Sequence, residues 1–270
     1  SVFPVCVTQD GLAAFRLADH FTRLVNSARI IGIDTFEGAW TRERFGDAVR
    51  ELVKANDISR DVLIRATVHV VDSVPGVRSR GLATALSLFA YETEPILSQT
   101  GARLTTSMWR RVPDDAIPSR AKVNGAYVNS VLGKQDALDR GADDCVFLDR
   151  LGHVCELSAA NIFMVRGGVL ITPGASSDIL EGITRRTLLE LARDLEIPSS
   201  ERSIDLTELY IADEVFACGT SASLAPVTEI DTRRIGNGSI GPITAALKKK
   251  YRDILHGEDP NYTHLLTALS

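Results

Sequence analysis

"CVFLDRLGHVCELSAANIFMVRGGVLITP", residues 145–173, carries the pattern on which the fold turns. Its short β-branched and aromatic runs, "CVFLD", "HVCEL", "NIFMVR" and "VLITP", are separated by turn residues. "RLG" divides the first two, and Gly167-Gly168 is a hairpin signal between the last two. The stretch predicts a β-meander. One residue stands out in it: Glu156, between Cys155 and Leu157. A carboxylate is costly to bury there unless it meets a cation or a donor. The other reading is strand alternation that turns Glu156 to solvent.

Beyond the meander, "TRRTLLELARDLE" (184–196) has helical spacing. "EVFACGT" and "APVTEID" read as strands, and a final helix is expected from about residue 242 to 254. Before the meander, "ARLTTSMWR" (102–110) reads as a strand, followed by a helix running to about residue 141. "TEPILSQTG" (93–101) looks like a linker. Upstream lie a short strand at 3–8, amphipathic helices at 18–29 and 42–55, and β-rich runs at 61–72 and 82–92. No internal repeat or low-complexity tract interrupts the chain. The fold class is α+β in two lobes: 1–93, a linker at 94–101, and 102–270, with a site expected in the cleft between them.

The bulk numbers exclude several classes. The chain has 270 residues, 44% hydrophobic and 24% charged, with a net charge of -5. That balance gives no electrostatic reason to expect nucleic acid or an anionic membrane as partner. No apolar run reaches the roughly 18 residues a membrane helix needs. The opening Ser-Val-Phe-Pro-Val-Cys has no basic n-region. Cys6, Cys145, Cys155 and Cys218 form no C-x-x-C pair, and no His stands at zinc-finger spacing. They read as small apolar side chains in a reducing, cytoplasmic setting, with no metal.

Lysine is scarce here: there are six, against 24 arginines. Lys54 falls on the polar face of a helix, Lys134 in a mid-helix surface setting, and Lys248, Lys249 and Lys250 in a solvated run. Lys122, in "SRAKVNGAYVNS" (119–130), differs, because it precedes a helix rich in small and apolar residues. Tyr127 lies five residues on. In a continuous helix the two would point about 140° apart. They share a site only if the helix starts between them, and Asn124-Gly125 is a turn signal at that point. An amine there is able to form a Schiff base with a carbonyl; the plain alternative is a surface lysine near a loop.

Two stretches suit an anion. Gly182 precedes Ile183 and Thr184 at a helix start, where N–H groups are unsatisfied. Gly219, Thr220 and Ser221 follow a strand and offer hydroxyls and amides. Thr and Ser are also ordinary caps and turn residues. A lysine, a strand carboxylate and two anion cradles are together what pyridoxal 5'-phosphate chemistry requires.

"AKVNGAYVNSVL", "GADDCVFLDRLGHVCELSAANIFMV", "LITP", "LEGITRRTLLELA", "ELYIADEVFACGTSASLAPVTEID" and "IGPITAALKKKY" resemble the class IV aminotransferases, the fold type IV enzymes that use pyridoxal phosphate. The nearest branch is branched-chain amino acid aminotransferase. These stretches cover nearly all of 102–254, and "FRLADHFTRLVNSARI" and "LIRATV" extend the likeness toward the N-terminus. The resemblance implies a small N-terminal α/β domain and a larger domain with a β-barrel-like sheet and flanking helices. It makes Lys122 the Schiff-base lysine and proton shuttle, Tyr127 the partner of the cofactor's phenolic oxygen, and Glu156 the partner of its pyridinium nitrogen. It assigns the phosphate to Arg16, to the backbone of Ile183 and Thr184 after Gly182, and to Thr220. It assigns substrate to Thr220-Ser221, Arg65 and Phe3. The implied reaction exchanges an amino group between an apolar amino acid and a 2-oxo acid such as 2-oxoglutarate, in a homodimer.

The sequence departs from the family on the substrate side. The family's opening strands, with an active-site tyrosine, precede the point where this sequence starts. Its Phe-Glu-Gly motif reads Phe3-Pro4-Val5, with Val7 where branched-chain enzymes often carry arginine, and its Tyr-Ile-Arg pattern reads Leu63-Ile64-Arg65. These changes keep open another fold type IV reaction: aminodeoxychorismate lyase, or transamination of D-amino acids or amines. They also keep open a protein that retains the fold without catalysis.

Overall fold

The computed structural model describes residues 1–269. In chain order the elements are β1 (Val2–Thr8), β2 (Gly11–Phe15), α1 (Leu17–Ile30), α2 (Thr35–Ala39), α3 (Arg42–Ala55), β3 (Val62–Val70) and β4 (Thr84–Tyr91). Then come β5 (Ala102–Arg110), α4 (Tyr127–Asp139), β6 (Asp144–Leu148), β7 (Val154–Leu157), β8 (Asn161–Arg166) and β9 (Val169–Thr172). The rest are α5 (Ile183–Asp194), β10 (Ser199–Glu201), α6 (Leu206–Tyr210), β11 (Glu214–Gly219), β12 (Ser223–Ile230), β13 (Arg233–Arg234), α7 (Pro242–Leu255) and β14 (Leu266–Ala268). The meander of 145–173 is present as β6 to β9. The chain divides into two compact units: Ser1–Thr93 together with the chain from Arg252 onward, and Glu94–Tyr251.

The first unit is a five-stranded antiparallel sheet, order β14-β2-β1-β3-β4. Strand alternation gives it two unlike faces. Phe3, Val5, Ala14, Val62, Ile64 and Ala66 join Phe21, Leu24, Phe45 and Val49 of α1 and α3 in one core. Leu63 and Arg65 alternate with Val62, Ile64 and Ala66 and so belong to the other face. The second unit is not the whole of 102–270 expected from the sequence, because the chain from Arg252 onward belongs to the first. Leu266, Thr267 and Ala268 pair with Phe15, Ala14 and Ala13, so the C-terminal stretch adds an edge strand to the first sheet. Residues 94–101, read as a linker, belong to the second unit. Leu97 is buried in its core, and Ile96 N–H donates to Ser221 O at 3.0 Å.

The second unit has the strand order β10-β9-β8-β11-β12-β5-β6-β7, with β13 added to β12. In a flat sheet β7 and β8 would lie about 24 Å apart, five strand spacings. The tight connection 158–160 joins them, with Leu157 N–H donating to Ala160 O at 2.8 Å. A few residues at 3.8 Å each span little more than half that distance. The sheet therefore curls until its β7 edge returns to β8. Leu104, Val146, Leu157, Ile162, Met164, Val215 and Ala225 fill its interior.

Candidate active site

Lys122 lies outside the helix, as the Asn124-Gly125 break requires. Asn124–Ala126 form a 3-10 turn, and α4 begins at Tyr127. The break lets the two side chains converge: Lys122 Nζ is 5.6 Å from the centre of the Tyr127 ring, within cation–π range. The flanks hold this loop in place. Ser119 N–H and Oγ both donate to Asp114 Oδ1, at 3.0 and 3.2 Å. Asn129 ties α4 to the end of β5, accepting from Val112 N–H at 3.3 Å and donating to Arg110 O at 3.0 Å. Arg120 reaches Glu181 at 2.9 Å, beside Gly182.

Glu156 takes the costly option. It is buried on β7, and burial raises its pKa above the ordinary carboxylate value. Arg111, the Leu180 N–H and the charge of Lys122 act against that rise. Arg111 Nη2 lies 2.7 Å from Oε1. Asn161 Nδ2 and Leu180 N–H donate to Oε2 at 3.0 and 3.2 Å. Arg111 is itself buried, with Nε donating to Asp178 O at 3.3 Å. The sequence reading missed it, because Arg110-Arg111 after an amphipathic strand resembles a surface doublet. The buried Glu156 was its only signal, since such a carboxylate calls for a cation.

Asn161 links this carboxylate to the start of α5. It also donates to Leu180 O at 2.9 Å, and its Oδ1 would lie 2.1 Å from any Cβ at position 182. Gly182 is required by that approach. It is the N-cap of α5, and among the described residues no side chain caps the helix. Ile183 and Thr184 open the helix, both buried. Gly219 Cα lies close to 159–160, the connection that follows Glu156: a Cβ there would touch Ala159 O at 3.4 Å. β11 and β12 pair up to Gly219 and Ser223, leaving Thr220, Ser221 and Ala222 as a three-residue turn.

Lys122, Tyr127, Glu156, Gly182, Ile183, Thr184, Thr220 and Ser221 thus all belong to the second unit. Three further candidates belong to the first. Arg16 is the N-cap of α1, with φ 49° and Nε 2.6 Å from Asp19 Oδ2. Phe3 lies within the core, its ring 5.4 Å from His20 and 6.0 Å from Phe45. Arg65 pairs with Val2 across β1 and β3, and Leu63 with Pro4. Two of the family departures, Pro4 and Leu63, are therefore direct cross-strand neighbours. Two lysines read as surface groups, Lys134 and Lys248, are half-buried and tied to backbone carbonyls. Lys134 Nζ donates to Asp143 O at 2.5 Å, and Lys248 Nζ donates to Gln99 O at 2.9 Å. All four cysteines are buried and none is in a disulfide. Burial pushes the Cys6 and Cys145 thiols up to about 12. Among the described residues no His, Cys, Asp or Glu cluster could hold a metal ion, and no helix is long and apolar enough to cross a membrane.

A curled sheet carrying a buried Glu–Arg pair beside an uncapped helix start and a lysine ahead of its helix defines a fold type IV enzyme. Known proteins agree. The family model described as amino-transferase class IV matches residues 2–230. The probable branched-chain-amino-acid aminotransferase of Aquifex aeolicus is 38% identical over 253 residues, covering 93% of this chain and 80% of its own. That of Pseudomonas aeruginosa is 39% identical over 256 residues, covering 93% and 81%. The crystal structure of the Thermoproteus uzoniensis branched-chain aminotransferase with norvaline superposes with a TM-score of 0.95 at 39% identity, over 100% of this chain and 89% of that one. The chain belongs to the class IV aminotransferases, fold type IV enzymes that carry out pyridoxal-phosphate-dependent transamination.

Proposed function

We propose that this enzyme transaminates branched-chain or similar apolar amino acids, with a 2-oxo acid such as 2-oxoglutarate as the second substrate. The observation that carries the reading is Glu156, a buried carboxylate with a raised pKa, held by Arg111, Asn161 and Leu180 in the same unit as Lys122. Its donor set fits pyridoxal phosphate, which presents a basic ring nitrogen, a phenolic oxygen, an aldehyde and a phosphate. Bound in the site, the cofactor supplies an electron sink for the charge left on the substrate Cα.

The chain's own groups do the rest. Lys122 would hold the cofactor through its amine, and the same amine is the base that would move the proton from the substrate Cα. Tyr127 would hydrogen-bond the phenolic oxygen. Glu156 would keep a proton on the ring nitrogen, since Arg111 and the Leu180 N–H favour its charged form and a buried anion favours a cation beside it. Gly182 and the amides of Ile183 and Thr184 receive the phosphate at the positive end of α5. The resemblance adds Arg16 and Thr220 to that role. Thr220 and Ser221 receive the substrate α-carboxylate, and Arg65 a carboxylate of the substrate. Phe3 acts through the position of its strand, since its ring is in the core.

Exposed Val128, Val131 and Leu132 on α4 and Met108 and Trp109 on β5 support a homodimer, and four buried cysteines outside any disulfide suit a reducing cytoplasm. The test of function is holoenzyme incubated with L-leucine, L-isoleucine or L-valine and 2-oxoglutarate. Loss of the yellow cofactor colour and formation of glutamate are expected. If no amino acid or amine converts the cofactor, transamination is wrong.

The Pro4–Leu63 pair favours one second reading. An apolar pair where the family places Glu opposite Tyr suits a D-amino acid or amine transaminase, or a lyase such as aminodeoxychorismate lyase. Chiral analysis of products separates the two, and turnover of L-amino acids alone rules the second out.

A further inference from the structure

The 220–222 turn is gripped from one side by the segment before β5. Ile96 N–H donates to Ser221 O at 3.0 Å. Gln99 Nε2 donates to Ala222 O at 3.0 Å and to Leu97 O at 3.0 Å. Lys248, from α7, donates to Gln99 O at 2.9 Å. Two successive carbonyls of the turn therefore point toward residues 96–99. A trans peptide sets its N–H opposite its C=O. The Ser221–Ala222 and Ala222–Ser223 peptides must then turn the N–H groups of Ala222 and Ser223 away from the segment. Holding these two carbonyls fixes the C-terminal half of the turn, Ser221 to Ser223, and the placing of Thr220 and Ser221 depends on it.

Packing does little to fix this segment. Leu97 is its one buried apolar anchor. A cavity of about 550 Å³ is lined by residues 94–99 with Lys134, Leu138 and Asp143. With that space alongside, the segment has room to shift once its polar ties are cut.

We propose that Gln99, held by Lys248, is a positioning residue for substrate carboxylate binding: it sets the orientation of the 220–222 turn by holding the Ala222 carbonyl. This rests on the reading that the turn receives the α-carboxylate. Gln99 touches neither substrate nor cofactor in this role. Its amide is the working part, because a carboxylate of the same shape cannot donate.

The test compares holoenzyme forms of the wild type, Gln99→Leu, Gln99→Glu and Lys248→Met. Steady-state kinetics use L-leucine and 2-oxoglutarate. A parallel titration uses 4-methylvalerate, a carboxylate without an amino group. Gln99→Leu and Gln99→Glu are expected to raise KM for both substrates and Kd for 4-methylvalerate by about tenfold, with kcat within about twofold. Lys248→Met moves the same quantities less. The proposal fails if Gln99→Glu matches the wild type, because shape would then suffice. It also fails if the variants melt earlier with KM and Kd unchanged, the mark of a merely structural role. If the wild type turns over no amino acid, the functional reading fails instead, and the 4-methylvalerate titration still decides the role of Gln99.

Discussion

Helices α5 and α7 both start next to a glycine that leaves room for a side chain from the sheet. At Gly182 the neighbour is the Asn161 carboxamide; at Gly241 it is the Glu214 carboxylate, and a Cβ at either glycine would come within 2.1 Å of it. The consequences differ. Glu214 turns into its helix and accepts from Ile243 N–H at 3.0 Å, Thr244 N–H at 2.7 Å and Thr244 Oγ1 at 2.6 Å. The positive end of α7 has its anion built in. Asn161 is neutral and faces Glu156 instead, and among the described residues α5 has no side-chain cap. One helix end is completed by the fold; the other suits an anion from outside. The same contrast separates the two carboxylates: Glu214 is satisfied by a helix, Glu156 by Arg111 and two N–H donors.

The largest effect is expected where that second arrangement is broken. Arg111→Met leaves Glu156 buried without its cation and should cost about 3–5 kcal/mol. Adding Glu156→Gln should recover most of it in urea unfolding; no recovery would mean that Arg111 serves some other group. Removing the internal anion comes next. Glu214→Gln should cost about 1.5–3 kcal/mol of stability and leave cofactor affinity unchanged. A large drop in that affinity would erase the distinction between the helices.

Gly182→Asp gives α5 the kind of anion that α7 has. Against the steric control Gly182→Ala, it should weaken pyridoxal phosphate binding by a further factor of about ten, read by absorbance titration. Equal losses in both variants would show that no phosphate sits there. The smallest effect lies far from the site. Arg202 and Arg166 hold Glu208 at about 2, below the usual carboxylate range. A depressed folded-state pKa stabilises the fold above the unfolded value of 4.5 and stops doing so as pH falls toward 2. The advantage of wild type over Glu208→Gln, under about 1 kcal/mol at pH 7, should vanish by pH 2. Glu156 has the opposite sign. Its raised value makes its contribution greatest at low pH, lost as pH rises through the folded value.

Long periodic segments were legible in the sequence. Helix 42–55 is α3, and Asn124-Gly125 placed Lys122 ahead of α4 through turn chemistry alone. Elements of two to five residues, such as β2, α2, β10, α6 and β14, carry too few positions for a period to show. The return of β14 to β2 is a pairing across some 250 residues, which no local pattern encodes. In the candidate site, chemistry gave the residues that bear an unusual group: a rare lysine, a buried-looking carboxylate, glycines before a helix. It did not give the residues that serve them. Arg111, Gln99 and the half-buried Lys248 look like surface residues until the fold shows what they face.

The central claim is that Lys122 is the residue that carries the cofactor. Borohydride reduction of the yellow holoenzyme, followed by peptide mass mapping, tests it directly. A pyridoxyl adduct on the peptide containing Lys122, and its absence in Lys122→Ala, is the predicted result. An adduct on Lys134, Lys248 or any other lysine would contradict the assignment.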